Sequence, residues 1–312
     1  MLNIGKLAPG GEGYYLDTVA SGVEDYYTGA GEAPGYWLGA AAPELGLSGR
    51  VTPEALRAVL GATDPSTGEP LTVRKSRRSV PGFDCTFRAP KSVSLLYGLC
   101  DIATSAAVRD AHEAAVAAAI GYLETHAALS RRGHGGAERV PVTGFVAAAF
   151  RHRTSRAGDP LLHTHVLVAN VGRAVDDGAW RTLDGRSLYL HAKTAGYLYQ
   201  AQLRAELTRR LGVGWGEMGS GCADLAGVPE QVIRAFSRRR AEITAHMQAR
   251  GETSAKAAQT ATLATRTAKD RDVEPAVLGA EWLTRAAALG FGPTRSPRSP
   301  PASRSPACSR RC

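Results

Sequence analysis

Several features that the sequence lacks exclude broad classes of protein. It has no apolar run of the roughly 18 residues that a membrane-spanning helix needs, so we expect no membrane insertion. The first residues, from Met1 to Gly11, do not form the apolar segment of a secretory signal. The phosphate-binding pattern GxxxxGK followed by Ser or Thr, which is typical of helicases and other nucleotide hydrolases, does not occur.

Cysteine is scarce and is not arranged for metal binding. The sequence has five cysteines, and no two of them form the CxxC pair that indicates a zinc site. They are Cys85, Cys100, Cys222, Cys308 and Cys312. Scattered cysteines in a chain without a secretory signal are typical of a reducing compartment, so we expect a cytoplasmic location.

Acidic residues are missing from the C-terminal end. The net charge is +9, of which the last 22 residues contribute +5, so the first 290 residues carry the remaining +4. From Gly292 onward the composition shifts to Arg, Ser and Pro, which cannot form an apolar core. We therefore expect a folded domain over 1–291 and a disordered tail over 292–312. The mild charge of the domain permits a phosphate-bearing partner without requiring one.

The folded part mixes strand and helix patterns. Val80 to Arg88 alternates between two faces, which predicts a strand with Asp84 and Thr86 on the same side and a helix from Val93 to Leu99 after it. Apolar residues at helical spacing predict longer helices over 105–128, 188–211, 229–250, 253–267 and 275–289. The fold class is therefore α+β.

Three of the eight histidines fall in one short stretch. His163 and His165 are two residues apart in a predicted strand, so their side chains project from the same face. His152 ends the apolar run before it, and an Ala-Gly-Asp-Pro turn signal lies between. A hairpin would bring the three imidazoles together as a metal site with open coordination positions. The alternative is three unrelated structural histidines.

The histidine pattern does not identify the metal. Imidazole ligands suit zinc, manganese, nickel, cobalt or iron better than a dry magnesium site. We expect one divalent cation, with Mg, Mn and Zn as the candidates.

Two other clusters have more than one interpretation. Tyr14-Tyr15 and Tyr26-Tyr27 are tyrosine pairs flanked by glycines, and composition alone favours exposed surface aromatics. A basic run from Arg74 to Arg78 is either a solvated face or a contact to a phosphate backbone.

The combination of motifs is more specific than any one of them. It comprises the two tyrosine pairs, the run from Glu44 to Gly49, the run from Asp84 to Ser94, and the histidine stretch from Phe150 to Val166. Together they resemble the N-terminal relaxase domain of MobF conjugative relaxases, the TrwC/TraI class. The resemblance covers 1–291 and implies an antiparallel β-sheet flanked by helices, the palm-like relaxase or His-hydrophobe-His endonuclease fold.

The resemblance also implies catalytic roles. The three histidines would hold the cation, and Tyr14 and Tyr26 would be the nucleophiles, with Tyr15 and Tyr27 as rivals because the pairs are more widely spaced than expected. Asp84 would orient a metal-bound histidine or accept the tyrosine proton.

The implied DNA-binding residues are Lys91, Arg153 and Arg156.

The function that follows from the resemblance is site-specific nicking and rejoining of one DNA strand at a plasmid transfer origin, through a 5′-phosphotyrosyl intermediate. The expected partners are single-stranded and hairpin DNA of that origin, accessory DNA-binding proteins and the coupling machinery of type IV secretion in the bacterial cytoplasm. Two alternatives stay open: an origin-binding module or truncated remnant without cleavage, and a three-histidine hydrolase with another substrate. The family's helicase domain is not expected here, and the short tail is interpreted as a native end, a truncation or a frameshift.

Overall fold

The computed structural model describes residues 1–11, 13, 35–72, 80–265 and 275–292. The strands in this part of the chain are β1 (Leu2–Lys6), β2 (Tyr36–Leu38), β3 (Gly82–Arg88), β4 (Leu129–Arg132), β5 (Glu138–Pro141), β6 (Ala147–Thr154), β7 (Pro160–Ala169), β8 (Gly172–Arg173) and β9 (Trp180–Arg181). The α-helices are α1 (Pro53–Leu60), α2 (Lys91–Leu99), α3 (Ile102–Ala127), α4 (Gly185–Leu211), α5 (Glu230–Ala235), α6 (Arg238–Ala249), α7 (Ala255–Ala264) and α8 (Pro275–Ala288). The expected mixture of helices and an antiparallel sheet is confirmed.

A five-stranded antiparallel sheet organises the fold. Its order is β1-β3-β7-β6-β2, so β7 lies at the centre with hydrogen-bonded neighbours on both sides. Two small ribbons, β4-β5 and β8-β9, lie outside this sheet. Strand β7 is rich in apolar residues and largely buried, as expected for a central strand that is covered on both faces.

Each face of the sheet packs against its own core. Leu162, Val166 and Val168 of β7 belong to the apolar cluster that includes the long helices α3 and α4. Leu167 and Ala169 point the other way, into a second cluster that includes α1. The alternation of β7 therefore places His163 and His165 on the same face as Leu167.

A third, smaller core joins the C-terminal helices to the rest of the molecule. Leu95 and Leu99 of α2 pack with Val232, Phe236 and Trp282. Trp282 is only 1% exposed, although α8 follows a segment outside the described residues. The C-terminal helices are thereby packed against α2.

Local signals explain most helix boundaries. Helix α1 starts at Pro53, where the Thr52 hydroxyl accepts a hydrogen bond from the Ala55 amide. Helix α3 starts earlier than predicted because the Asp101 carboxylate caps the Thr104 amide at 2.8 Å. Helix α4 ends where Gly212 adopts a φ of 64°, a left-handed conformation that favours glycine.

One predicted helix is wrong in its continuity. The segment expected as a single helix over 229–250 is two helices, α5 and α6, separated at Phe236 and Ser237. The backbone amide of Arg238 donates to the Asp159 carboxylate at 2.8 Å instead of continuing a helix. A tertiary partner therefore interrupts a segment whose own sequence favours continuation.

Strand β1 has no counterpart among the predictions, because Gly5 interrupts its alternation and its partner β3 is remote in sequence. Among the described residues, no helix is both long enough and apolar enough to cross a membrane.

Candidate metal centre

The β6-β7 hairpin brings the three predicted histidines together. His152 lies directly opposite His163, and His165 follows on the same face of β7. One ring nitrogen from each histidine lies within 4.8 Å of the others. The ring centroids are 5.1–5.2 Å apart. The predicted convergence of these three side chains is confirmed.

The turn of the hairpin fixes its register. Gly158 has a φ of +70°, which favours glycine, and its amide donates to the Ser155 carbonyl at 3.0 Å. The Ser155 amide donates to the Asp159 carbonyl at 2.8 Å. A one-residue shift in pairing between His152 and Thr154 marks the start of this turn.

Hydrogen bonds orient the rings of His163 and His165. Nδ1 of His165 lies 2.9 Å from both carboxylate oxygens of Asp84, and the Thr86 hydroxyl donates to the same carboxylate at 3.1 Å. Nδ1 of His163 lies 2.8 Å from the Leu161 carbonyl oxygen. Because a carboxylate and a carbonyl can only accept, we assign the proton of each ring to Nδ1. Nε2 is then the ligating nitrogen of both rings.

The donor set fits a divalent cation. Burial lowers the pKa of His163 well below its usual value, and the nearby His152 and His165 rings lower it further. The imidazole is therefore neutral near pH 7 and offers a lone pair without first losing a proton. Three nitrogen ligands leave further coordination positions for oxygen atoms of a substrate or water. His152, His163 and His165 would hold the metal.

The triad opens into a cavity of about 800 Å³. Its wall includes six cationic side chains, those of Lys6, Arg88, Lys91, Arg156, Arg239 and Arg240. The opposite wall comes from the C-terminal helices, through Ser237, Ile243, Ala258 and Thr262. The acidic residues of the lining are Asp84 and Asp159, so its six cations outnumber its acids. Such an excess of positive charge suits an anionic ligand.

Two of the three predicted DNA-binding residues line this cavity, Lys91 and Arg156. The Lys91 ammonium donates to the Pro160 carbonyl at 2.6 Å. Burial lowers the pKa of Lys91 to about 8, and the negative charge of Asp159 opposes that shift. Lys91 therefore remains mostly protonated at neutral pH.

Arg153 is placed differently from the expectation. It is 2% exposed, and its guanidinium carbon lies 5.4 Å from the centre of the Trp282 ring. The side chain packs under α8 and does not line the cavity, so this placement does not support a direct DNA contact. The strand pattern could not reveal this because Trp282 is remote in sequence.

Several other predicted residues cannot be placed. Tyr14, Tyr15, Tyr26, Tyr27 and the basic run 74–78 lie outside the described residues. Conversely, the site contains four cations that the sequence did not single out for it, namely Lys6, Arg88, Arg239 and Arg240. The strand alternation that assigned Asp84 to one face also assigns Arg88 to it, so this signal was present.

Comparison with known proteins agrees with the fold and the triad. The family model of the TrwC relaxase matches residues 8–289. The Multifunctional conjugation protein TraI of Escherichia coli is 33% identical over 298 residues, which is 92% of this chain and 16% of TraI. TraI of strain K12 is 32% identical over 305 residues. The chain therefore spans 16% of the length of these curated relatives.

Solved structures extend the likeness to three dimensions. A metal-bound structure of the conjugative relaxase TrwC in complex with oriT DNA has a TM-score of 0.83 and 32% identity. TrwC in complex with a 27-mer DNA that comprises the recognition hairpin and the cleavage site has a TM-score of 0.81. Each match covers 94% of this chain and all of the other. The chain belongs to the TrwC relaxase family and forms a relaxase domain of the MobF type.

Proposed function

We propose that this domain nicks and rejoins one strand of DNA at a plasmid transfer origin by tyrosine transesterification. The observation that carries the proposal is a cluster of three histidines beside a cavity that is lined by cations. Asp84 orients one of these histidines through a hydrogen bond. The metal-bound complex of TrwC with oriT DNA, and its complex with a 27-mer DNA that comprises the recognition hairpin and the cleavage site, support the same kind of substrate and cofactor here.

The reaction exchanges one phosphodiester for another. A bound divalent cation would polarise the scissile phosphate and offset the charge that develops on it. The Tyr14 hydroxyl gives up its proton to water as its oxygen bonds to phosphorus. The bond between phosphorus and the 3′ oxygen of the upstream nucleotide breaks, and that oxygen takes up a proton. Because the phosphotyrosyl bond is preserved and not hydrolysed, attack by a 3′-hydroxyl reverses the step. Tyr26 is assigned the second transfer that ends strand passage.

The structure favours one of the two expected roles of Asp84. Both of its oxygens are within 2.9 Å of His165 Nδ1, and Thr86 donates to one of them. A carboxylate held in this way orients the imidazole and increases its basicity as a ligand. We therefore assign Asp84 to the positioning of His165 instead of to proton abstraction.

The lining of the cavity supports a nucleic-acid strand as the substrate. Its cationic wall can neutralise successive phosphates, and Lys91 and Arg156 lie on the same cavity as the triad. We further propose that the domain has three partners in this function: hairpin DNA of the origin, accessory DNA-binding proteins and the coupling machinery of type IV secretion.

The decisive experiment is a search for a covalent adduct. The protein is incubated with Mn²⁺ and single-stranded oligonucleotides that tile the transfer origin of the element encoding it, and the products are separated on a denaturing gel. We expect a protein–DNA adduct that is lost with chelator and in the Tyr14→Phe variant. Tyr26→Phe should form the adduct but fail to exchange strands from it.

A matched control separates the nucleophile from general effects on tyrosine. Tyr189→Phe changes a tyrosine of α4 that is 42% exposed. This variant should form the adduct like the unmodified protein. Tight binding of an origin oligonucleotide with no adduct at any time would instead establish the alternative, an origin-binding module without cleavage.

A further inference from the structure

Arg88 is the last residue of β3 and lies directly opposite His163 of β7. Residues that oppose each other across an antiparallel pair project from the same face of the sheet. Arg88 therefore shares the face of the three histidines, and it lines the cavity together with them and with Asp84.

The other cations of the cavity are engaged by the protein to different degrees. The Lys91 ammonium donates to the Pro160 carbonyl, and Arg239 donates to the Thr262 and Thr265 carbonyls. The Arg88 side chain is exposed, and across the described residues no carboxylate forms an ion pair with it and no hydrogen bond engages its guanidinium.

The backbone of Arg88 is held firmly, in contrast to its side chain. The Arg88 amide donates to the Met1 carbonyl at 3.0 Å. Its carbonyl accepts from the Met1 amino group at 2.7 Å and from Gln200 Nε2 at 3.1 Å. These bonds join β3 to β1 and α4 at the point where the side chain enters the cavity, so the guanidinium is presented from a fixed base.

Electrostatics places the Arg88 charge close to the metal centre. Crowding by the cavity walls lowers the pKa of Arg88, and the negative charge of Asp84 opposes that shift. The positive charge of Arg88 in turn helps to lower the pKa of His163. A cation in partly desolvated surroundings is costly unless an anion accompanies it. An anionic ligand in the cavity would add to the compensation that Asp84 already provides.

We propose that Arg88 binds the phosphate group on which the metal centre acts and is a further catalytic residue of this domain. The inference rests on the proposed function and adds a group that contacts the reacting phosphate. The guanidinium can donate two parallel hydrogen bonds to non-bridging phosphate oxygens. These contacts would strengthen as negative charge accumulates on those oxygens in the transition state.

The first test measures phosphate binding without DNA. Mn²⁺-loaded protein is titrated with inorganic phosphate, and binding is followed by paramagnetic broadening of the phosphate ³¹P resonance. We expect Arg88→Gln to weaken phosphate binding roughly tenfold or more, because charge-assisted hydrogen bonds are lost. The phosphate affinity of Arg88→Lys should lie between those of Arg88→Gln and the unmodified protein, since lysine keeps the charge but cannot donate two parallel hydrogen bonds.

The control variant is Arg209→Gln, which removes a charge from an exposed arginine near the end of α4. It should bind phosphate like the unmodified protein. Equal phosphate affinity in Arg88→Gln and the unmodified protein would overturn the assignment. So would failure of the Mn²⁺-loaded, unmodified protein to bind phosphate, or a parallel loss of Mn²⁺ affinity in a thermally stable Arg88→Lys variant.

A second test separates this inference from the proposed function. On an oligonucleotide that forms the covalent adduct, Arg88→Gln should slow adduct formation at saturating DNA by roughly a hundredfold, with a smaller effect on affinity. If no oligonucleotide forms an adduct but phosphate binding at Mn²⁺ depends on Arg88, the proposed nicking is wrong and the phosphate assignment stands.

Discussion

At the scale of single residues, Asp84 shows how far alternation along a strand can predict a site. The pattern of β3 placed Asp84 and Thr86 on one face, and the structure places both beside His165. The pattern could not show that both carboxylate oxygens approach the same ring nitrogen, because that depends on the pairing of β3 with β7, which is remote in sequence. The strand pattern also could not predict the burial of Arg153 under Trp282, because Trp282 is remote in sequence.

Loss of the Asp84 carboxylate should weaken the metal centre specifically. We expect Asp84→Asn to lower the affinity for Mn²⁺ or Zn²⁺ by about 10- to 100-fold, because the amide no longer holds the His165 ring and its tautomer. Isothermal titration with each metal measures this. Asp110→Asn, which removes the partner of Arg109 on the surface of α3, should bind metal normally. Undiminished affinity in Asp84→Asn would show that His165 needs no such support.

Removal of a ligand is the more severe change at the same scale. We expect His163→Ala to bind the divalent cation weakly and to form no DNA adduct at metal concentrations that saturate the unmodified protein, because two imidazoles remain of three. His134→Ala, at an exposed position away from the triad, is the matched control. Normal adduct formation by His163→Ala in the presence of chelator would contradict a metal-assisted reaction.

At the scale of elements, the turn of the β6-β7 hairpin is hydrogen-bonded to the C-terminal helices. Asp159 is 1% exposed and accepts hydrogen bonds from the Arg238 backbone and side chain and from Arg285. Trp282 Nε1 donates to the Gly158 carbonyl at 2.8 Å. The sequence predicted the hairpin and the helices separately, since each has a local pattern. Their connection, which also splits the helix predicted over 229–250, requires contacts between remote segments.

Neutralising Asp159 should destabilise the protein because two arginines would lose their shared carboxylate. We expect Asp159→Asn to lower the free energy of unfolding on the order of 2 kcal/mol, less than for fully buried pairs, since both arginines are partly exposed. Glu230→Gln, in an exposed pair with Arg234, should change it by about 0.5 kcal/mol or less. Urea denaturation measures both, and equal effects would rule out a special role for Asp159.

At the scale of the whole molecule, a buried histidine connects two helices and the central sheet. His112 of α3 lies 2.7 Å from the Tyr199 hydroxyl of α4 and 2.8 Å from the Thr164 hydroxyl of β7. Burial, followed by the charges of Arg151 and the N-terminus, lowers the pKa of His112 to about 3. His112 is buried among the apolar residues of α3, so its role is structural.

The low pKa of His112 makes stability depend on pH. The unfolded chain binds a proton at this residue below about pH 6.5, while the folded protein resists protonation until about pH 3. The contribution of His112 to the free energy of unfolding is therefore complete above pH 6.5. It falls by about 1.4 kcal/mol for each pH unit of further acidification. When the pH is lowered from 6.5 to 5, the free energy of unfolding, measured by urea titration, should fall by about 2 kcal/mol less in His112→Gln than in the unmodified protein. His134→Gln should retain the full slope, and identical slopes in all three proteins would refute the assignment.

The central position of β7 has a consequence for the time scales on which the site can change. Its amide groups are hydrogen-bonded to β3 on one side and β6 on the other, so their exchange with solvent deuterium requires the whole sheet to open. The strand that carries two of the three histidines thus belongs to the slowest-exchanging part of the molecule. Among the described residues, α6 is joined to the β6-β7 turn by hydrogen bonds of Arg238 to Asp159 and Ala157 and not by a backbone ladder. If the domain acts on DNA as proposed, the motions that admit and release a strand are therefore expected in the wall formed by α6 and α7.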